Sequence, residues 1–253
     1  MRWIEAAAAL GMAAVAVAGL EQSPATSQAQ PPPTVQMPQS EGMPPVPAPV
    51  IPQPVQPPPF VVVVDAAHGG SDTGARLSGG IPEKEITLGI AARLRSTLHA
   101  RGIVVVTTRQ ADANLMPVDR AQIANRAQGA ACLVIHATAT GSGVHLFTSS
   151  LSPTGNSRFL PWPTAQSAYV TQSLKLESEI DSALAHAAIP VSLGRASVEP
   201  MDSVTCPEVA VEVAPLVGGH VTEARPVTDA VYQKSVVDAV AAALEQWRSD
   251  WKQ

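Results

Sequence analysis

The chain has 253 residues, 45% hydrophobic and 15% charged, with a formal net charge of −5. From Phe60 onward 15 basic and 18 acidic residues remain, so no basic field exists to draw in nucleic acid, and an aromatic content of 4% leaves no stacking platform for single strands. Two cysteines exclude a disulfide framework and a cysteine-built zinc module.

Residues 1–23 read as a targeting segment. Ala6 to Leu20 is an apolar run of 15 residues behind a short head carrying Arg2. That run is short for a membrane span, which needs about 20 residues, and matches a signal-peptide core. An uncleaved leader would instead anchor the chain in the inner membrane through residues 6–20. In both cases the folded part is expected outside the cytoplasm, in the periplasm or cell envelope. Residues 24–59 hold fourteen of the 24 prolines and one charged residue, Glu41. Such a tract buries too little apolar surface to offset its ordering entropy and reads as a disordered, polyproline-like tether.

The folded domain is expected over residues 60–253. Phe60–Asp65 is a continuous β-branched run, the mark of a strand covered on both faces. Glu83–Ala100 reads as a helix, opened after Pro82 and closed by Gly102, with Ile86, Ile90, Leu94 and Leu98 four apart. Ile103–Thr108 is a second strand, Val118–Gln128 a short helix, Cys132–His136 a third strand and Gly143–Ser149 a fourth. Thr164–Ala187 reads as a long helix capped by Thr164, Glu208–Val213 as another strand, and Val227–Trp251 as a closing helix. Strands alternating with helices predict a single α/β domain: a mainly parallel or mixed sheet of about six strands, with helices on both faces.

In such sheets ligands gather beyond the carboxyl ends of the strands. Asp65 and His68 follow the first strand, Glu83 opens the next helix, His136 ends the third strand, and Glu212 lies near the end of 208–213. These can converge on one rim. Two histidines and a carboxylate are a common catalytic zinc set, and a further glutamate could act as general base. Spread over about 70 residues, the ligands are a weaker signal than two histidines on one helical turn, so spacing leaves this as one reading among several.

Four ordered motifs sharpen it: VVVVDAAHGGSDTGA, GGIPEKEITLGIAARLRSTLHARGIVVVTTR, DANLMPVDRAQIANRAQGAACLVIHATA and CPEVAVEVA. Together they resemble zinc-dependent N-acetylmuramoyl-L-alanine amidases of the AmiC/CwlV type, from about Phe60 to the C-terminus with a looser middle at 150–205. The resemblance implies hydrolysis of the amide between the lactyl group of N-acetylmuramic acid and the L-alanine of the stem peptide, with peptidoglycan as partner. It implies one zinc ion on His68, Glu83 and His136, and Glu212 as the catalytic residue. Glu83 is preferred to Glu85 by motif position.

Three positions depart from that family. Ala67 replaces a glycine before the first ligand, which would cost roughly 1 kcal/mol or more if φ were positive there. Thr138 follows His136-Ala where the family commonly has asparagine, and Val-Ala-Pro-Leu-Val follows Glu212 in place of Gly-Phe-Leu-Ser-Asn. A wall-binding module without turnover and a zinc peptidase or amidase acting on another wall peptide are the competing readings. Asp65 is expected to orient a ligand or cap its loop, and Arg109 and Arg120 to be internal ion-pair partners. Cys132 and Cys206 read as buried thiols, with a disulfide compatible with export. His99, His145, His186 and His220 match no ligand position and read as structural or solvated. Phe159, Leu160, Pro161 and Trp162 could line a substrate groove or form a packing corner.

Overall fold

The computed structural model describes residues 59–154, 160–218 and 224–251. The leader and nearly all of the Pro-rich tract lie outside them, as do Phe159 and His220. Among the described residues no helix is long and apolar enough to cross a membrane.

Strands β1 (Val61–Ala66), β2 (Val104–Thr107), β3 (Ala131–Ala137), β4 (Val144–Ser149), β5 (Val191–Ala196) and β6 (Glu208–Val213) form one sheet in the order β2-β1-β3-β6-β4-β5. β2, β1, β3 and β6 are mutually parallel; β4 runs antiparallel to β6 and parallel to β5. Helices α1 (Glu83–Ala100), α2 (Pro117–Ala127), α3 (Val170–His186) and α4 (Ala230–Trp251) complete the single mixed α/β domain.

The two-residue alternation of strands sorts the side chains onto two unequal faces. Val62, Val64, Leu133, Ile135, Val144, Leu146, Val209, Val211 and Val213 point to one face. There they join Leu94 and Leu98 of α1, Leu176, Ile180 and Leu184 of α3, and Val236, Val240 and Leu244 of α4. The opposite face is thinner. Val63 and Cys132 meet Ala121 and Ala124 of α2, while Val134 and Ala210 meet Ala67 and Met201. Polar residues of the strands, namely Asp65, His136, His145, Glu208 and Glu212, occupy the same alternate positions as this thinner layer.

Several elements differ from the sequence expectation. β5 was not foreseen, because VSLGRA lacks an apolar run and its side chains stay half-exposed at the sheet edge. The long helix from Thr164 is two pieces. A 3-10 segment covers Trp162–Ala168, in which Thr164 has non-helical angles and donates its hydroxyl to the Pro161 carbonyl, and α3 starts at Val170. α4 begins three residues later than expected because Asp229 caps it, accepting the Tyr232 N–H at 2.7 Å. Cys132 and Cys206 are not free thiols; they form a disulfide with Cα atoms 6.1 Å apart. Trp162 is exposed and Leu160 half-buried, and the 3-10 segment that follows is held near the start of β6, where Gln166 donates to the carbonyls of Val204 and Cys206.

Glu208 opens β6 fully enclosed, with Oε2 lacking any partner among the described residues. Burial, with the nearby Asp65 and Asp202 charges, pushes its pKa from about 4.5 up to about 8. The folded state therefore holds this proton more tightly than the unfolded chain. The side chain is neutral to stability below about pH 4.5 and weighs increasingly against folding up to about pH 8. Glu208→Gln is expected to raise stability little at pH 4.5 and most at pH 8, there by on the order of a few kcal/mol, as read by denaturant unfolding across that range.

Candidate metal centre

The site lies where β1 and β3 end and α1 begins. The loop after β1 folds back so that Arg120 of α2 reaches under it, donating to the carbonyls of Ala66 and His68 at 2.7 Å each and to Asp65 Oδ1 at 2.6 Å. Arg109 fills the other side. It donates to the carbonyls of Ala66, Ala67, Lys84 and Ala111 and, contrary to expectation, forms no ion pair among the described residues. Asp65 neither caps the loop nor touches a predicted ligand. It is buried against Arg120 and Thr108 and acts on His68 only through the Arg120 fork.

On this bed His68 takes φ +63°, a left-handed conformation that histidine adopts more readily than most residues. The neighbouring Ala67 is not a positive-φ residue, and its methyl packs against Val134, Met201 and Ala210. The expected alanine penalty is therefore absent. Gly74, at φ +62°, lies directly over the site: a Cβ there would come 2.6 Å from His68 Cδ2 and 2.7 Å from Glu83 Oε2.

Glu83, the first residue of α1, is buried, whereas Glu85 points to solvent. Glu83 Oε1 accepts the Ala137 N–H at 3.0 Å and lies 2.9 Å from His136 Nδ1. Its Oε2 accepts the Ala75 N–H at 2.9 Å and lies 3.1 Å from His68 Nε2. Burial alone would push this carboxyl up, but the two imidazoles and two backbone donors hold it well below the usual carboxylate range. The same contact, above all, raises the pKa of His68. Donor atoms of His68, Glu83 and His136 all lie within 4.8 Å of one another, and His136 Nε2 is buried without a hydrogen-bond partner among the described residues. Two imidazoles, one anchored carboxylate and an unsatisfied ring nitrogen fit a divalent cation with nitrogen and oxygen ligands.

Two neighbours escaped the sequence reading. Asp72 lies 2.8 Å from His68 Nδ1 and so turns Nε2 toward Glu83. The signal was the four-residue spacing within HGGSD. His145, read as structural, lies with Nδ1 2.7 Å from Glu212 Oε2. Glu212 pairs in register with His136 on β3 and with His145 on β4. The three side chains thus form one row across three strands on the thinner face. His99 and His186 are exposed.

Removing the Arg120 guanidinium would leave Asp65 buried without its ion pair and the carbonyls of Ala66 and His68 without their donors. Arg120→Met is expected to destabilise the fold by about 3–5 kcal/mol in urea unfolding at pH 7.

The N-acetylmuramoyl-L-alanine amidase family (Amidase_3) matches residues 62–246. The chain is 38% identical over 102 residues to the endolysin of Bacillus phage SPP1, covering 38% of this chain and 37% of that protein. It is 42% identical over 77 residues to the N-acetylmuramoyl-L-alanine amidase AmiA of Escherichia coli K12, covering 30% of this chain and 27% of that one. Each match thus spans well under half of the relative. The fold is shared with the catalytic domain of CwlV, an N-acetylmuramoyl-L-alanine amidase from Bacillus (Paenibacillus) polymyxa var. colistinus: TM-score 0.58 at 21% identity, covering 75% of this chain and 98% of that structure. With the family matched over most of its length, this chain belongs to the N-acetylmuramoyl-L-alanine amidases.

Proposed function

We propose that the chain hydrolyses peptidoglycan at the amide joining the lactyl group of N-acetylmuramic acid to the L-alanine of the stem peptide. One zinc ion would be held by His68, Glu83 and His136, with Glu212 as general base. The observation that carries this reading is the meeting of three donors from three separate elements within 4.8 Å, with Glu212 one strand away from His136 on the same face.

When bound, zinc supplies Lewis acidity that makes water nucleophilic at neutral pH and polarises the amide carbonyl. Glu212 takes a proton from the attacking water as its oxygen adds to the carbonyl carbon. As the carbon–nitrogen bond breaks, Glu212 passes that proton to the departing amine of L-alanine. Glu83 is held in place by the Ala75 and Ala137 N–H groups, so its carboxylate needs no rearrangement to serve as a ligand. Asp72 fixes the ring of His68.

A wall-binding module without turnover drew its support partly from Ala67, and the ordinary backbone at that residue removes this part. A peptidoglycan substrate implies an envelope location. We further propose that residues 1–23 export the chain and 24–59 tether the catalytic domain, which comprises 60–253. The Cys132–Cys206 disulfide supports an oxidising destination.

Glu212→Gln is expected to lower release of free stem peptide from purified peptidoglycan by about 100-fold or more while the zinc content stays unchanged. His68→Ala is expected to lose the metal as well, as read by elemental analysis. Equal release by wild type and Glu212→Gln overturns the role of Glu212. Release of internal stem-peptide fragments in place of a free L-alanine terminus redirects the assignment to a wall peptidase.

A further inference from the structure

We propose that His145 is a positioning residue for Glu212, holding one carboxylate oxygen so that the other faces the centre formed by His68, Glu83 and His136. The proposal rests on the reading of Glu212 as general base.

The geometry begins with strand direction. Because β4 runs antiparallel to β6, its first residues lie beside the last residues of β6, and His145 falls directly opposite Glu212. Val144 and Leu146 enter the main core, so alternation turns His145 to the face that carries Glu212 and His136. Nδ1 of His145 lies 2.7 Å from Oε2 of Glu212. An ionised carboxylate is only an acceptor, so the imidazole must carry its proton on Nδ1 and donate.

The imidazole is itself confined. Gly141, at φ +86°, lays its backbone against the far side of the ring, where any Cβ would overlap Cε1 and Nε2. The ring is thus wedged between the Gly141 main chain and the carboxylate. The two strand ends are locked together beneath it. The Ala214 N–H donates to the Gly143 carbonyl at 2.9 Å, the Gly143 N–H donates to the Pro215 carbonyl at 3.0 Å, and the hydroxyl of Tyr232 lies 2.8 Å from the Gly143 carbonyl and 3.0 Å from that of Ala214. A glutamate has three side-chain torsions, and at this half-exposed strand end nothing else among the described residues hydrogen-bonds its carboxylate. Fixing Oε2 leaves Oε1 as the oxygen free to move a proton.

The test compares His145→Phe, which keeps a ring and removes the donor, with His145→Asn, whose amide nitrogen can occupy the place of Nδ1. Both are made in the full chain beside Glu212→Gln, supplied with zinc, and assayed for stem-peptide release, zinc content and melting temperature. Loss of a residue that orients another active group lowers activity by about 10–100-fold. His145→Phe is expected to lose that much kcat with KM and zinc content within about twofold of wild type, and His145→Asn to recover most of it. In wild-type protein, the imidazole N–H shared with Glu212 should give a downfield proton resonance that both His145→Phe and Glu212→Ala abolish. Should His145→Phe fail to fold, Gly141→Ala displaces the ring without deleting it, and is expected to slow the wild type but not a His145→Asn background by the same factor. Wild-type kcat in His145→Phe, or equal loss in His145→Phe and His145→Asn, overturns the proposal. If Glu212→Gln is slow while His145→Phe is not, only the positioning role falls; if Glu212→Gln turns over normally, the base assignment falls and this role with it.

Discussion

The carboxylate of Glu83 is the tie on which the rest of the site depends. Each of its oxygens meets one imidazole and one backbone N–H, and those four groups come from the loop after β1 and from the end of β3. The residue itself starts α1. One side chain thus joins three elements, and its charge is favoured twice, by the amide donors and by the positive end of the helix. A carboxylate buried to this degree would be costly without such partners, so its enclosure and its hydrogen bonds are a single arrangement.

Around that tie two buried arginines are bound chiefly by backbone carbonyls. Arg109 and Arg120 between them donate to the carbonyls of Ala66, Ala67 and His68 and hold the loop in its left-handed turn. Asp65 compensates the second arginine from below. The loop is therefore shaped from beneath by charge and from above by Gly74, whose missing side chain leaves room for the two ring and carboxylate groups.

Much of this was legible before any coordinates. The β-branched run at 60–65, the apolar stretch at 132–136 and the four-residue apolar spacing of 83–100 mark strands and helix. The ordered motifs pointed to His68, Glu83 and His136, and the fold brings the three together. What escaped depends on relations between distant segments. β5 lies at an edge, so its sequence carries no burial pattern. Local sequence does not state whether a strand is parallel or antiparallel to its neighbour, and it is the reversed direction of β4 that sets His145 beside Glu212. Arg109 looked like an ion-pair partner because a buried charge usually needs one; four carbonyls serve it instead.

The disulfide has a consequence for the unfolded chain as well as the folded one. Cys132 lies near the start of β3, which carries His136 near its other end, and Cys206 lies two residues ahead of β6, which carries Glu212. The link spans 74 residues of chain, so its closure restricts the unfolded polypeptide by about 4 kcal/mol in the chain-entropy account. Bonds of this kind endure only where thiols are kept oxidised. In reducing surroundings the same side chains would sit on a looser pair of strands, without the clasp that ties β3 to the segment just ahead of β6.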